Sequence, residues 1–310
     1  MKHEIKIVFI MMVMFIVTQL IGLLIINTYA PHNITLPTGA NITQWNQVPY
    51  GMQPEPMEPN VSLMTFLLAL TIAIALLFLL MKYRARMIIR IWFMAVSFIT
   101  IAISLNAIFL MLFPESKLGL DTIALVLALP MTFYKVFRRN IVVHNFTELL
   151  IYPGLAVLFI PIFDITTTII LLVIISIYDF IAVIKSKFMV QMAKYEMQKA
   201  KIFSGFFVPY LTDKTRKLIE KISMRSAKSS KAKKIPISVA ILGGGDIAFP
   251  LIFAGVVLRT LGLTSALFVI VGASLGLLGL FIIGKKGKFY PAMPFIAAGC
   301  IAGWLVSTLI

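Results

Sequence analysis

The sequence has little charge and almost no cysteine for a chain of its length. Only 13% of its 310 residues are charged, 60% are hydrophobic, and the mean hydropathy is +0.99, values that exclude a water-soluble globular domain. The single cysteine, Cys300, excludes a disulfide framework. His3, His32 and His144 are far apart, and no Cys/His cluster has metal-ligand spacing. We therefore expect an integral membrane protein without a metal site.

Acidic residues are also scarce. Twelve Asp and Glu stand against 28 Lys and Arg, which gives a formal net charge of +16. In a soluble protein this excess would suggest nucleic acid, but basic residues of membrane proteins cluster on the cytoplasmic side. We therefore expect the lipid bilayer, and not nucleic acid, to be the partner of these charges. No internal repeat of fixed period is evident, which argues against an inverted-repeat transporter.

Long hydrophobic runs dominate the chain. Nine of them come close to the roughly 20 apolar residues that cross a bilayer, so we predict an all-α polytopic membrane protein with nine transmembrane helices. The predicted spans are 7–27, 60–81, 88–113, 119–137, 145–162, 165–185, 236–258, 262–283 and 290–309.

The positions of Lys and Arg predict the orientation of these spans. If the N-terminus is cytoplasmic, 26 of the 28 basic residues fall in inside segments. This distribution predicts a cytoplasmic N-terminus and a C-terminus outside. We expect one integrated membrane domain that consists of helices one to six (1–185), a basic cytoplasmic loop (186–234) and helices seven to nine (235–310).

Two loops are long enough to carry features of their own. The first outside loop, 28–59, contains the glycosylation acceptor patterns that begin at Asn33 and Asn41; their occupancy is left open. The Lys-rich loop 186–234 is typical of a solvated face near anionic headgroups, and its self-cleavage is left open too. Residues Met189 to Phe207 are predicted to extend the sixth helix as an amphipathic interfacial segment.

Carboxylates inside the membrane are the most informative residues, because burying one costs about 2.5 to 3.5 kcal/mol even on the mildest scale. Asp121 and Asp164 lie where outside loops enter helices and are predicted to be N-caps or interfacial residues. Glu148 lies close to the inside boundary of the fifth span, so we expect it to reach water and to be structural. Asp179 and Asp246 are flanked on both sides by apolar residues. These two acids therefore need a functional explanation.

The two aspartates must lie at the same depth if they share one site. At 1.5 Å per residue, Asp179 lies about 9 Å inside the cytoplasmic boundary, whereas Asp246 lies about 18 Å inside if its helix begins at Lys234. The segment 235–239 contains proline and three β-branched residues, which favours an extended conformation. A helix that begins near Ala240 brings Asp246 to about 9 Å. We expect the extended segment to pair with a substrate strand.

Two facing carboxylates in a membrane pocket suit peptide hydrolysis. Proximity and low dielectric keep one protonated while the other stays ionised. The ionised carboxylate activates water and the protonated one polarises the scissile carbonyl. The pair titrates as a unit, so the assignment of acid and base is left open. The alternative is a transporter or ion channel in which Asp179 and Asp246 bind a cation or relay protons.

Three short motifs occur in order in the sixth, seventh and ninth predicted helices: Tyr178-Asp179, Gly243-Gly244-Gly245-Asp246 and Pro291-Ala292-Met293-Pro294. They resemble the YD, GxGD and PAL motifs of the presenilin and signal peptide peptidase family of GxGD intramembrane aspartyl proteases, with methionine where leucine is usual in the third. Prepilin and preflagellin peptidases also carry GxGD, but there a lysine usually follows the aspartate, where Ile247 stands here.

The resemblance implies an aspartic endopeptidase of the cell membrane that cleaves single-span helical substrates without cofactor, metal or obligatory protein partner. It implies that Asp179 and Asp246 are catalytic and that the other motif residues support the site or bind substrate. Glycine beside Asp246 permits close approach of backbone or substrate, and Tyr178 could donate a hydrogen bond near the pair. The N-in orientation looks like presenilin, whereas signal peptide peptidases are inverted, and the chain is most similar to archaeal presenilin-type homologues. Formation of a homo-oligomer, the physiological substrate and the cleavage position are left open.

Overall fold

The computed structural model describes most of the chain: residues 5–30, 32–35, 41–44, 48–52, 59–83, 85–114, 119–138, 140–185, 204–210, 238–284 and 290–309. Within these ranges the protein is mainly helical, with nine long α-helices and two small antiparallel sheets.

The nine helices follow the nine predicted spans in order. A helix is the expected form of such runs, because backbone groups in lipid must be hydrogen-bonded within the segment. In the described part of the chain, seven helices, α1 to α6 and α8, are long and apolar enough to cross a membrane, so the protein is a multi-pass membrane protein. That all nine cross, and in which orientation, stays a prediction. The bounds are α1 Ile5–Thr28, α2 Pro59–Lys82, α3 Arg86–Leu112, α4 Leu120–Phe137, α5 Ile141–Phe159, α6 Ile165–Phe180, α7 Gly245–Leu261, α8 Leu263–Ile283 and α9 Met293–Leu309.

Helix α7 lies at the centre of the bundle. It packs against α1, α5, α6, α8 and α9, and every residue from Leu251 to Leu258 is buried. With 17 residues it is shorter than most of its neighbours. Because protein covers its sides, α7 holds the residues at its N-terminus, including Asp246, inside the bundle and not against lipid.

Helices α8 and α9 approach each other through small residues. Gly272 and Gly276 are four residues apart, a spacing that predicts close helix packing. The structure confirms this, because a Cβ at either position would collide with a backbone carbonyl of α9. Gly299 and Gly303 of α9 meet carbonyls of α8 in the same way. This contact fixes the start of α9, where the third sequence motif lies.

Four short strands form the two sheets. On the predicted outer side, β1 (His32–Thr35) pairs with β2 (Asn41–Gln44), so both glycosylation acceptor patterns lie on one hairpin; their occupancy stays a prediction. β3 (Gly205–Tyr210) pairs with β4 (Ser238–Gly243) in an antiparallel register. The second sheet leads directly into α7.

The predicted start of the seventh helix near Ala240 was wrong. Residues Ser238–Gly243 form β4, and α7 begins at Gly245. Val239 and Ile241 are β-branched and fit a paired strand, and this pairing with β3 extends the strand well past the predicted boundary. The expectation of an extended segment is confirmed for the residues at 238–239; 235–237 lie outside the described residues.

The predicted extension of the sixth helix is also corrected at its end. Residues 205–207 belong to β3, not to a helix. Phe206 is fully buried and Val208 is 4% exposed, because β3 packs against α1 and α5. The long basic loop therefore contributes a strand to the bundle. The remainder of the predicted extension, 189–203, and residues 211–234 lie outside the described residues.

Asp121 and Asp164 both lie at helix starts, as expected. Asp164 is the N-cap of α6: its carboxylate accepts a hydrogen bond from the Thr167 backbone N–H at 2.8 Å, and the Thr167 hydroxyl accepts from the Asp164 N–H at 3.0 Å. Asp121 is exposed in the first turn of α4. Both positions place a negative charge at the positive end of a helix.

Candidate active site

Asp179 lies one residue before the end of α6 and is almost completely buried, at 5% exposure. Its carboxylate accepts a hydrogen bond from the Met293 backbone N–H at 3.1 Å, and it interacts with the Ala292 N–H as well. A buried carboxylate is costly without donors, and free N–H groups at the start of a helix supply them. The start of α9 therefore holds the side chain of Asp179 in place.

The run Pro291–Pro294 provides these donors because it forms the start of α9, where backbone N–H groups have no partner within the helix. Pro294 is the second residue of α9, where a missing N–H costs no helical hydrogen bond. Met293, the first residue of α9, is 3% exposed, and Ala292 also lines the cavity described below. The motif was expected to line a cavity or support the site. Ala292 lines the cavity, and Ala292 and Met293 support Asp179 through backbone contacts.

Asp246 is the second residue of α7 and is partly exposed. The backbone N–H of Gly243 interacts with its carboxylate, which also lies within electrostatic range of Asp179. The sequence anticipated that these two acids would meet at one depth. The structure brings them together, although a strand and a glycine turn, not a helix that starts at 240, set the position of Asp246.

A cavity of about 310 Å³ lies beside Asp246. Four consecutive residues of β4, 239–242, form one wall, and the C-terminal end of α8, including Leu280 and Phe281, forms another. Both walls are apolar apart from backbone groups. The cavity therefore offers an apolar segment a place between a strand edge and Asp246.

The three glycines before Asp246 differ in how closely they are packed. A Cβ on Gly243 would lie 3.0 Å from the Asp246 carboxylate, while one on Gly245 would make only an ordinary contact with Phe249 at 3.6 Å. At Gly244 a Cβ would collide with the Ser204 hydroxyl. Close approach was expected at Gly243 and Gly245; the structure shows it at Gly243 and, most tightly, at Gly244.

Gly244→Val is expected to lower the stability of the folded protein by about 1–3 kcal/mol, the usual cost of extra methyl groups in a full interior. Gly245→Ala, one residue away, is the matched control and should leave stability nearly unchanged. Thermal unfolding in detergent measures both. Equal melting temperatures for the two variants would show that the turn at Gly244 has room that the structure does not indicate.

Tyr178 precedes Asp179 but is 39% exposed. Within the described part of the chain, its hydroxyl makes no hydrogen bond with the aspartates. The expected hydrogen bond near the pair is therefore not present in this structure, and a role for Tyr178 stays a prediction.

Glu148 contradicts its predicted environment. It is completely buried in α5, and its Oε1 accepts a hydrogen bond from Lys135 Nζ of α4 at 2.6 Å. The side chain of Glu148 does not reach water. Its carboxylate can remain buried because the basic side chain of Lys135 on the neighbouring helix is buried with it. His144 and Tyr152 lie one turn before and one turn after Glu148, on the same face of α5. This spacing of four residues was the sequence signal that could have shown that His144, Glu148 and Tyr152 form one row of polar side chains on α5.

Among the residues that the structure describes, no group of three or more His, Cys, Asp or Glu side chains is arranged to hold a metal ion.

Comparisons with known proteins agree with this architecture. Two solved structures, each described as a presenilin family intramembrane aspartate protease, in space groups C222 and P2, superpose with TM-scores of 0.63 and 0.60. Each is 18% identical; the first alignment covers 98% of this chain and 99% of the other, and the second covers 97% of both. They show that the folds are alike. A search of curated protein sequences gave no significant match.

The family model described as "Signal-peptide peptidase, presenilin aspartyl protease" matches residues 42–310, which is most of the chain. The resemblance seen in the three sequence motifs is thereby confirmed at the level of the family. The chain belongs to the signal-peptide peptidase and presenilin family of aspartyl proteases.

Proposed function

We propose that the protein is an intramembrane aspartic endopeptidase of the GxGD type that hydrolyses peptide bonds of single-span transmembrane substrates. One observation carries the proposal: Asp179 from the end of α6 and Asp246 from the start of α7 lie within electrostatic range of each other, and Asp246 lines a cavity within the membrane bundle. Placing two carboxyl groups in apolar surroundings costs free energy. Membership in an aspartyl protease family supports a reason for this cost, because peptide hydrolysis by this chemistry needs both carboxyl groups.

The chemistry requires one ionised and one protonated carboxyl group. The ionised carboxylate takes a proton from water as the water oxygen attacks the carbonyl carbon, and the protonated carboxyl donates to the carbonyl oxygen. The tetrahedral intermediate collapses as a proton reaches the amide nitrogen, which leaves as an amine. The backbone amides of Ala292 and Met293 keep Asp179 oriented during this exchange.

Among the described residues no strand pairs with the second edge of β4, and this edge suits an extended substrate segment. Both backbone groups of Phe207 on β3 bond to the Asn145 side chain, at 2.8 and 3.0 Å. In the antiparallel register Phe207 lies opposite Ile241, so this is a non-hydrogen-bonded pair and the N–H and C=O of Ile241 point away from β3. Ile241 also lines the cavity. A substrate strand that adds at this edge would lie beside Asp246.

Incubation of the purified protein in detergent with single-span helical peptides tests the proposal, with products identified by mass spectrometry. Cleavage inside the apolar segment of the peptide is expected. Failure to cut any of several peptides, together with cation or proton flux in liposomes, would instead establish the transporter or channel alternative.

The pH dependence of cleavage gives a second test. Because one carboxyl must be ionised and its partner protonated, the rate is expected to follow a bell-shaped profile whose two limbs belong to the pair and not to either residue. Initial rates across about pH 4 to 9 measure it. A flat profile over this range would argue against a shared-proton pair.

A further inference from the structure

Polar side chains of α5 lie along the outer edge of β3, the edge that faces away from β4. The His144 Nε2 lies 2.8 Å from the carbonyl oxygen of Gly205. Asn145 donates from Nδ2 to the carbonyl of Phe207 and accepts from the Phe207 N–H. Gly205 has a φ of 140°, which an L side chain rarely adopts. Two neighbouring residues of one helix therefore occupy the backbone groups that another strand would need.

Within the part of the chain that the structure describes, side chains of α5 occupy this edge, whereas no strand pairs with the far edge of β4. Gly205 lies opposite Gly243 and Phe207 opposite Ile241, and both are positions at which the backbone of β3 points outward. The next outward position is Pro209, which has no N–H. An added strand therefore has one edge available, that of β4.

His144 is itself held in one orientation. Lys135 Nζ lies 3.4 Å from His144 Nδ1 and 2.6 Å from Glu148 Oε1. Since Lys135 can only donate, Nδ1 is the acceptor, and the other ring nitrogen then donates to Gly205. The side chains of Lys135 and Glu148 are at most 1% exposed. The buried ion pair thus fixes the ring that anchors β3.

The row of polar side chains on α5 also reaches the glycine turn that precedes Asp246. Tyr152, one turn beyond Glu148, is 2% exposed, and its hydroxyl would lie 3.0 Å from a Cβ on Gly244. The Gly244 N–H donates to the carbonyl of Ser204, the residue just before β3, at 3.2 Å. A shift of β3 would therefore move the turn that holds Asp246.

We infer that His144 and Asn145 are positioning residues that fix the register of the β3–β4 sheet against Asp246 and thereby determine which peptide bond of a substrate is cut. The inference rests on the proposed proteolytic function. Neither side chain reaches the reacting atoms; both act through the backbone of β3. Burial of Phe206 and Val208 determines which face of β3 points inward. A slip of two residues would keep that face inward, and the hydrogen bonds from α5 to the backbone of Gly205 and Phe207 oppose such a slip.

The test compares variants of the full-length protein in the peptide cleavage assay. Asn145→Ala and His144→Ala are expected to lower kcat about 10- to 100-fold, with a smaller change in KM, because a misplaced site loses rate more than binding. The main cut should move along the substrate or spread over neighbouring bonds. His144→Gln keeps a donor near the Nε2 position, so it should restore most of the rate and the original cut.

Asn140→Ala is the matched control. Asn140 caps the start of the same helix by accepting from the N–H groups of Val142 and Val143, and among the described residues its side chain makes no hydrogen bond to β3. Its loss should lower the melting temperature but leave the cut where it is in the wild type. If Asn145→Ala and His144→Ala also cut only at the wild-type bond with the wild-type kcat, the inference is wrong.

Amide hydrogen exchange separates this inference from the proposed function, because it needs no activity. Peptides that cover β3 and β4 should exchange faster in Asn145→Ala and His144→Ala than in wild type or Asn140→Ala. Unchanged exchange overturns the anchoring of the sheet, whatever the activity. If exchange is faster in the two variants but the wild-type protein cuts no peptide, the anchoring of β3 by α5 is supported and the proposed proteolytic function is rejected.

Discussion

Replacing either aspartate by asparagine, Asp179→Asn or Asp246→Asn, is expected to lower kcat for peptide cleavage by about 10²- to 10⁴-fold, the contribution of a positioned acid or base. Asparagine keeps the shape and can still accept the hydrogen bond that Met293 donates to Asp179. It removes a carboxyl group that is costly to bury. The melting temperature should therefore stay the same or rise while activity is lost.

The double variant distinguishes a catalytic pair from two independent sites. Because both carboxyls take part in the same proton transfers, the double variant should be about as slow as the slower single variant, not slower by the product of the two effects. Asp121→Asn, at an exposed helix start, is the matched control and should retain wild-type activity. Substantial cleavage by either active-site variant would contradict the proposed mechanism.

Lys135→Met is expected to be among the most destabilising single substitutions in the membrane bundle. It leaves Glu148, which is completely buried, without its cation. Breaking a buried ion pair by removing one partner costs about 3–5 kcal/mol. Glu148→Met should be similarly harmful, because it leaves the Lys135 ammonium buried. Thermal unfolding in detergent measures both variants.

The combined variant Lys135→Met with Glu148→Met should recover most of this loss. Apolar side chains of similar volume replace a buried pair at little net cost, because neither charge then needs desolvation. A combined variant that is less stable than both single ones would show that further polar contacts, such as those to His144, contribute more than the ion pair itself.

Local sequence patterns predicted the helical part of the fold because the signal for a membrane helix lies in consecutive residues. Each predicted span overlaps one helix, and Asp164 was correctly placed at the start of α6. The failures involve contacts between distant segments. β3 and β4 are separated by more than twenty residues, so their pairing leaves no local period, and the helix start near Ala240 was misjudged for that reason.

Polar contacts across the bundle were equally hidden from sequence reasoning. Glu148 was placed at a water boundary by its distance from the span end, yet the buried Lys135 of α4 pairs with it. Gly244 was not among the glycines at which close approach was expected. Its tight packing depends on Ser204, forty residues earlier in the chain.

The membrane environment and the series of helices could be predicted from the sequence, and the two aspartates could be singled out, since hydropathy, helical length and charges within apolar runs are local properties. How the aspartates are held, and where a substrate strand would add, depends on contacts between distant segments. Those features arise where the start of α9 meets Asp179, where α5 closes one edge of β3, and where β4 leads into α7. Each depends on backbone groups, which every residue shares and which no sequence pattern distinguishes.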